Sequence, residues 1–135
     1  MSKASTNQSE NQVRGTLSIR TLAMPADTNP NGDIFGGWLM SQMDIAGSIT
    51  AHSRAGGRVV TVGVEAMTFH RPVHVGDVVC CYTDIVKTGK TSMTVLVEVW
   101  VLRERNTADN VKVTEGTFTF VAIGEDGNKR ALPSL

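Results

Sequence analysis

"DTNPNGDIFGGWLMSQMDIAGS", residues 27–48, is the stretch that decides the fold. From Ile34 to Ala51 the residues are apolar or small almost all round, and a single charge, Asp44, sits inside the run. Phe35, Leu39, Met43, Ala46 and Ile49 fall on one stripe at helical spacing, while Trp38 and Ile45 lie off it. The stretch therefore reads as a helix wrapped by protein on most sides, ending near "HSRAGG". Gly37, Ser41 and Ser48 share the side of the helix that carries Asp44, and that side is polar or small enough to line a cleft. A carboxylate in such a helix must be paired, hydrogen-bonded or open to a cleft, because an unpaired buried charge is costly.

Around the helix the chain alternates. Residues 16–23, "TLSIRTLA", read as a first strand, followed by the loop "MPADTNPNGD", rich in Pro, Asn, Asp and Gly. Beyond the helix come four more strands: "RVVTVGVEAMTFH", "DVVCCYTDIVK", "TSMTVLVEVWVLR" and "VKVTEGTFTFVAI". Turn signals at "VHVGD", "TGK", "NTADN" and "GEDGN" separate or end them, and the turns are short enough for antiparallel pairing. In the fourth strand Val95, Val97, Val99 and Val101 share one face, and Leu96, Trp100 and Leu102 the other. In the last, Phe118 and Phe120 face away from Val121 and Ile123. A sheet wet on one side alternates apolar with polar; this one is apolar on much of both. One helix covers one face. The rest calls for a second copy of the chain, a dimer at minimum. The fold class is thus α+β: a curved antiparallel sheet around one long central helix.

At 135 residues the chain fits one domain, residues 14–135, preceded by a polar arm, residues 1–13, that reads as disordered. Thirteen basic and thirteen acidic residues cancel, which argues against nucleic-acid or membrane-surface binding by bulk charge. The start, "MSKASTNQSENQ", has no apolar core of a signal peptide, and no apolar run approaches the ~20 residues of a membrane span. Cys80 and Cys81 are adjacent, point to opposite faces of a strand and read as reduced thiols of a cytoplasmic protein. His52, His70 and His74 read as surface or loop residues whose spacing suggests neither a metal site nor a Ser-His pair. No metal or cofactor is expected.

Gly36 and Gly37 open the helix, where backbone N–H groups lack internal partners and carry the positive end of the dipole. Without a Cβ they admit a ligand, and they are suited to a carbonyl oxygen that becomes an oxyanion. Close packing would also account for them. Gly36 lies eight residues before Asp44, about 12 Å at ~1.5 Å per residue, so one carbonyl cannot easily meet both in the same chain. Two antiparallel helices across a dimer interface would bring Asp44 of one to Gly36 of the other. Asn29, by its residue type, reads as a turn or cap residue.

The segments "RTLAMPADTNPNGDIFGGWLMSQMDIAGSI", "GRVVTVGVEAMTF", "RPVHVGDVVCCY" and "VEVWV" closely resemble the bacterial YciA-like acyl-CoA thioesterases of the hotdog superfamily, over about Gly15 to Pro133. The resemblance implies a hotdog fold, paired subunits often arranged as a trimer of dimers, and hydrolysis of acyl-CoA to free CoA and a carboxylic acid. It places the catalytic base or nucleophile on Asp44, the carbonyl-polarising N–H on Gly36 beside Gly37, an assisting amide on Asn29, and a water-placing hydroxyl on Ser48. Arg58, Arg71 and Lys90, near turns, are the candidates for the CoA phosphates, with Thr61 and Ser92 completing the substrate-binding set. Two other readings stay open here: a non-catalytic acyl-CoA sensor, which would need the pocket but not Asp44 and Asn29, and a hotdog dehydratase, which would want a histidine such as His70 facing the helix acid.

Overall fold

The computed structural model describes residues 12–102 and 110–135. All but the last two residues of the N-terminal arm, and all but Asn110 of the "NTADN" turn, lie outside the described residues. The strands are β1 (Thr16–Leu22), β2 (Val59–Phe69), β3 (Val78–Thr88), β4 (Ser92–Leu102) and β5 (Asn110–Ala122). One helix, α1 (Gly36–Ala55), precedes β2, after a 3-10 turn at Pro25–Asp27. The strands form a single antiparallel sheet in the order β1-β3-β4-β5-β2.

β4 lies at the centre, which is why its sequence is a nearly unbroken apolar run. Met93, Val95, Val97, Val99 and Val101 are fully buried beneath the helix, together with Phe118 and Phe120 of β5. Every strand pairing carries at least one β-bulge, and β2–β5 carries two. Bulges bend strands and add twist, so the sheet curls around the helix. The helix rides close over β5 at Gly47, where an added Cβ would lie 2.9 Å from Phe120 Cζ. It stops at Gly56, whose φ of 69° suits glycine and whose N–H closes onto the His52 carbonyl at 2.9 Å. This is the hotdog arrangement that the resemblance implies.

Two expectations change. The helix starts at Gly36 rather than Ile34: the Ile34 N–H donates to the Val73 carbonyl and that of Phe35 to the Asp27 carbonyl, which holds both residues in the loop. The buried stripe is Leu39, Met43, Ala46, Gly47, Ala51 and Ala55, whereas Phe35 and Ile49, expected on it, are 48% and 49% exposed. Leu39 and Met43 fill the first part of the packed side and small residues the rest, where the helix sits too close to the sheet for isoleucine.

The other face of the sheet is less uniformly apolar than its pattern suggests. Glu98 of β4 is buried there and accepts hydrogen bonds from the Arg14 N–H, Trp100 Nε1 and Lys112 Nζ, at 3.1, 2.9 and 3.2 Å. Exposed apolar side chains gather instead on the outer side of α1 and along the edge strand β2: Ile45, Ile49, Val60, Val62 and Val64. Among the described residues, the far edge of β2 has no strand partner.

Candidate active site

Asp44 projects from the middle of α1 toward β2. It is half-buried, and its Oδ1 accepts a hydrogen bond of 2.6 Å from Thr61 Oγ1. Thr61 faces the helix because it stands opposite Phe120, an inward residue of β5. No cation pairs with Asp44 among the described residues. A structural acid would normally have one; here a neutral hydroxyl holds one oxygen and leaves the other for a further partner.

Asn29 lies in the loop before the helix. Its Oδ1 accepts from the N–H of Asn31 at 2.9 Å and of Asp33 at 3.1 Å, and its backbone pairs with Asp33 and Gly32. It is therefore a turn residue, as its type predicts. The same two bonds fix which end of the amide is which: Oδ1 serves the loop, and the Nδ2 donors are turned outward.

The N-terminus of α1 has no side-chain cap, and the N–H groups of Gly36 and Gly37 have no acceptor among the described residues. Nothing within the chain requires glycine at either position. A Cβ at Gly36 would make ordinary contact with Phe69 at 3.7 Å, and one at Gly37 would meet nothing within 4 Å. Close packing inside the subunit is thus ruled out as the reason for the pair, and uncapped donors in the open remain.

A cleft of about 380 Å³ joins these donors, lined among others by Asn29, Asp33, Gly36, Phe69, His70 and Arg71. Asp44 and Thr61 do not line it. Ser48 lines a second cleft, of about 350 Å³, with Ile49, His52 and Arg58, toward the end of the helix. Ser48 Oγ donates to the Ile45 carbonyl at 2.8 Å, which commits its proton and leaves it an acceptor. Lys90 and Ser92 stand at the β3–β4 turn and line neither cleft. The structure thus brings Asn29, Gly36 and Arg71 together, joins Asp44 to Thr61, and places Ser48 beside Arg58. His70 and Phe69 line the first cleft without having been marked as site residues. His70 follows the end of β2, with its N–H on the Val113 carbonyl at 2.8 Å, and its sequence position did not show that it would line this cleft.

His70 stands within 4.0 Å of Glu115, and the cleft it lines in its own chain does not include Asp44. Cys80 and Cys81 are unpaired and buried. Burial pushes the Cys81 thiol up to about 12, so it is no nucleophile at neutral pH. Among the described residues no group of three His, Cys, Asp or Glu side chains could hold a metal, and no helix is long and apolar enough to cross a membrane.

Residues 31–108 match the thioesterase superfamily. Over 126 residues the chain is 59% identical to the acyl-CoA thioester hydrolase YciA of Salmonella typhimurium, covering 92% of this chain and 95% of that protein. The hexameric thioesterase of Yersinia pestis superposes with a TM-score of 0.86 at 58% identity, over 90% of this chain and 98% of the other. A hexameric broad-specificity acyl-coenzyme A thioesterase, solved as an aspartate-to-alanine variant, gives 0.86 at 52% identity, over 89% and 88%.

Proposed function

The chain belongs to the YciA-like acyl-CoA thioester hydrolases of the thioesterase superfamily, and from that premise we propose that it hydrolyses acyl-CoA to free CoA and a carboxylic acid at a site shared between two subunits. The observation that carries this reading is the open pair Gly36–Gly37: an uncapped helix start, with room for a Cβ inside its own chain, waiting for something brought by another.

The thioester carbonyl oxygen takes hydrogen bonds from the Gly36 N–H and Asn29 Nδ2 of one subunit. Asp44 of the other subunit, steadied by Thr61, takes a proton from water as it attacks the carbonyl carbon, or attacks that carbon itself to form an anhydride that water then opens. In either route the donors hold the negative oxygen of the tetrahedral intermediate, the C–S bond breaks, and CoA leaves as a thiolate that picks up a proton. Thiolate is a fair leaving group, so modest assistance is sufficient. Ser48, an acceptor one turn past the acid, helps orient the water. Arg58 lies beyond the end of the helix. Asp44 to Ala55 alone spans ~16 Å at ~1.5 Å per residue, about the reach of the pantetheine arm, so Arg58 meets the CoA phosphates.

Exposed apolar side chains on α1 and β2, and the unpaired edge of an 11-residue strand, support pairing with a second copy. Three such dimers would give a hexamer, and the solved relatives are hexameric. The two unpaired thiols fit a reducing, cytoplasmic setting.

Release of free thiol from a panel of acyl-CoA chain lengths tests the function. Turnover in the wild type with loss of ~10²-fold or more in Asp44→Asn is the expected result. Stoichiometric binding of acyl-CoA without turnover would make the protein a sensor instead.

A further inference from the structure

One bulge of β2 strains the backbone. Glu65 stands opposite Thr117 and Thr68 opposite Glu115, so two residues, Ala66 and Met67, share the single Gly116 of β5. Ala66 takes a φ of 57°, and among the described residues it is the one non-glycine with a positive φ. Glycine normally fills the left-handed position of such a bulge, because a Cβ is crowded there. The extra residue changes which side chains face the helix. Thr114, Gly116, Phe118 and Phe120 are the buried, helix-side residues of β5. Without the bulge Thr68 would stand opposite Thr114 and Met67 would turn to the outer face. With it, Phe69 takes that place and Met67 comes to the helix side.

Gly116 makes the room for this side chain. A Cβ there would lie 2.8 Å from Met67 Cε and 3.5 Å from Met43 Cε, so the ends of the two methionines meet over the glycine. Met67 is half-buried against the core, while every other residue from Val60 to Phe69 is exposed. It therefore stands where the core meets the open strip between α1 and β2.

That strip leads away from the carbonyl donors. Phe69 lies 3.7 Å from the position of a Gly36 Cβ, and the cleft there includes the buried Leu39, one turn into the helix. Met43 is one turn further. From Gly36 to Met43 the helix rises ~10 Å at ~1.5 Å per residue. An eight-carbon acyl chain extends ~8 Å beyond its carbonyl carbon at ~1.2 Å per bond, as in an extended backbone. Such a chain ends at the two methionines, and a longer one meets Met67.

We infer that Met67 is the end wall of the acyl site, a specificity-determining residue that admits straight acyl chains of up to about eight carbons and longer ones only by swinging its thioether aside. The inference rests on the thioesterase reading and adds to it the residue that limits acyl length.

The test measures kcat/KM for butyryl-, octanoyl- and dodecanoyl-CoA on wild type, Met67→Ala, Gly116→Ala and the double variant, with a melting temperature for each. In the wild type the value should fall from octanoyl- to dodecanoyl-CoA. Met67→Ala should raise the dodecanoyl-to-butyryl ratio about tenfold or more, since even one methylene in an apolar site is worth about that much. Gly116→Ala should lower the ratio, because its methyl group pushes the thioether toward the acyl chain, and the double variant should lose that effect, having no thioether to push. A residue that only supports the fold would lower all three substrates alike and leave the ratio fixed. A Met67→Ala ratio within about twofold of the wild type therefore overturns the inference. So does a Gly116→Ala effect that persists without Met67, or a wild type that turns over dodecanoyl-CoA as well as octanoyl-CoA. Should Gly116→Ala fail to fold, Met67→Ala alone decides. A wild type that releases thiol from none of the three is a different failure, that of the thioesterase reading itself.

Discussion

The amide of Asn29 carries an acceptor that its own loop uses up and donors that the loop leaves open. Asn29→Ala would remove both and confuse a loosened loop with lost catalysis. Asn29→Asp keeps the acceptor for the Asn31 and Asp33 N–H groups and loses the donor. It should fold normally with kcat down by ~10²-fold or more; thermal melting and steady-state thiol release measure the two parts, and an unchanged kcat would leave Asn29 a turn residue only. Thr61 acts on the other half. Its hydroxyl fixes Asp44 by a single 2.6 Å bond. A hydrogen bond to a charged group contributes ~1.5–3 kcal/mol, and freeing the carboxylate should lower kcat about tenfold in Thr61→Val with little change in KM. Thr61→Ser should restore it. A loss in the serine variant as large as in valine would mean that the hydroxyl bond to Asp44 does not by itself account for the effect. The type and phase of Asp44 were legible in the sequence because a lone charge in a helix of apolar and small residues stands out. Its partner was not: Thr61 is an ordinary strand residue until the register sets it opposite Phe120, on the helix side of the sheet.

At the scale of elements, two glycines of α1 make opposite predictions. Gly47 faces Phe120 at 2.9 Å from its would-be Cβ, so Gly47→Val should destabilise the fold by ~1–3 kcal/mol through overpacking, read in a denaturant melt. Gly36 has room for a Cβ, so Gly36→Ala should melt like the wild type yet turn over substrate at least tenfold more slowly, its methyl group standing between the helix N–H groups and the carbonyl. A Gly36→Ala protein with full activity would separate the helix start from the chemistry. The five strands were legible because each is a run of β-branched and apolar residues between turn signals, and their observed ends fall within a residue or so of those runs. The helix face was read less well. A pattern of large apolar residues pointed to Phe35 and Ile49, but depth of packing is a property of the helix–sheet distance, which Gly47 and the alanines set and no period reveals.

For the whole molecule, the exposed apolar residues of α1 and β2 need a cover, and the edge of β2, unpaired among the described residues, offers the place. Val62, 57% exposed on that edge, should tolerate little there: Val62→Lys, a charge of the kind that keeps edge strands apart, should shift sedimentation to a smaller species and lower thiol release in parallel. A folded, fully active monomer at micromolar concentration would contradict the shared site. The sequence led to self-association by counting apolar faces, and the structure supports that proposal on a somewhat different footing. Much of the apolar surface left over belongs to the outer side of the helix and to an edge strand, whereas the far face of the sheet shelters a buried Glu98 with three donors.

That Asp44 of one subunit works with Asn29 and Gly36 of another is tested most directly by mixing two inactive proteins. Asp44→Asn and Asn29→Asp are each expected to be folded and nearly inactive, and are unfolded and refolded together in equal amounts, with mass spectrometry confirming mixed assemblies. If the site is shared, every mixed dimer regains one site with both groups intact, and random pairing should restore thiol release to about a quarter of the wild-type rate. If the site lies within one chain, no chain in the mixture carries both groups, and a mixture as inactive as its parents would contradict the account.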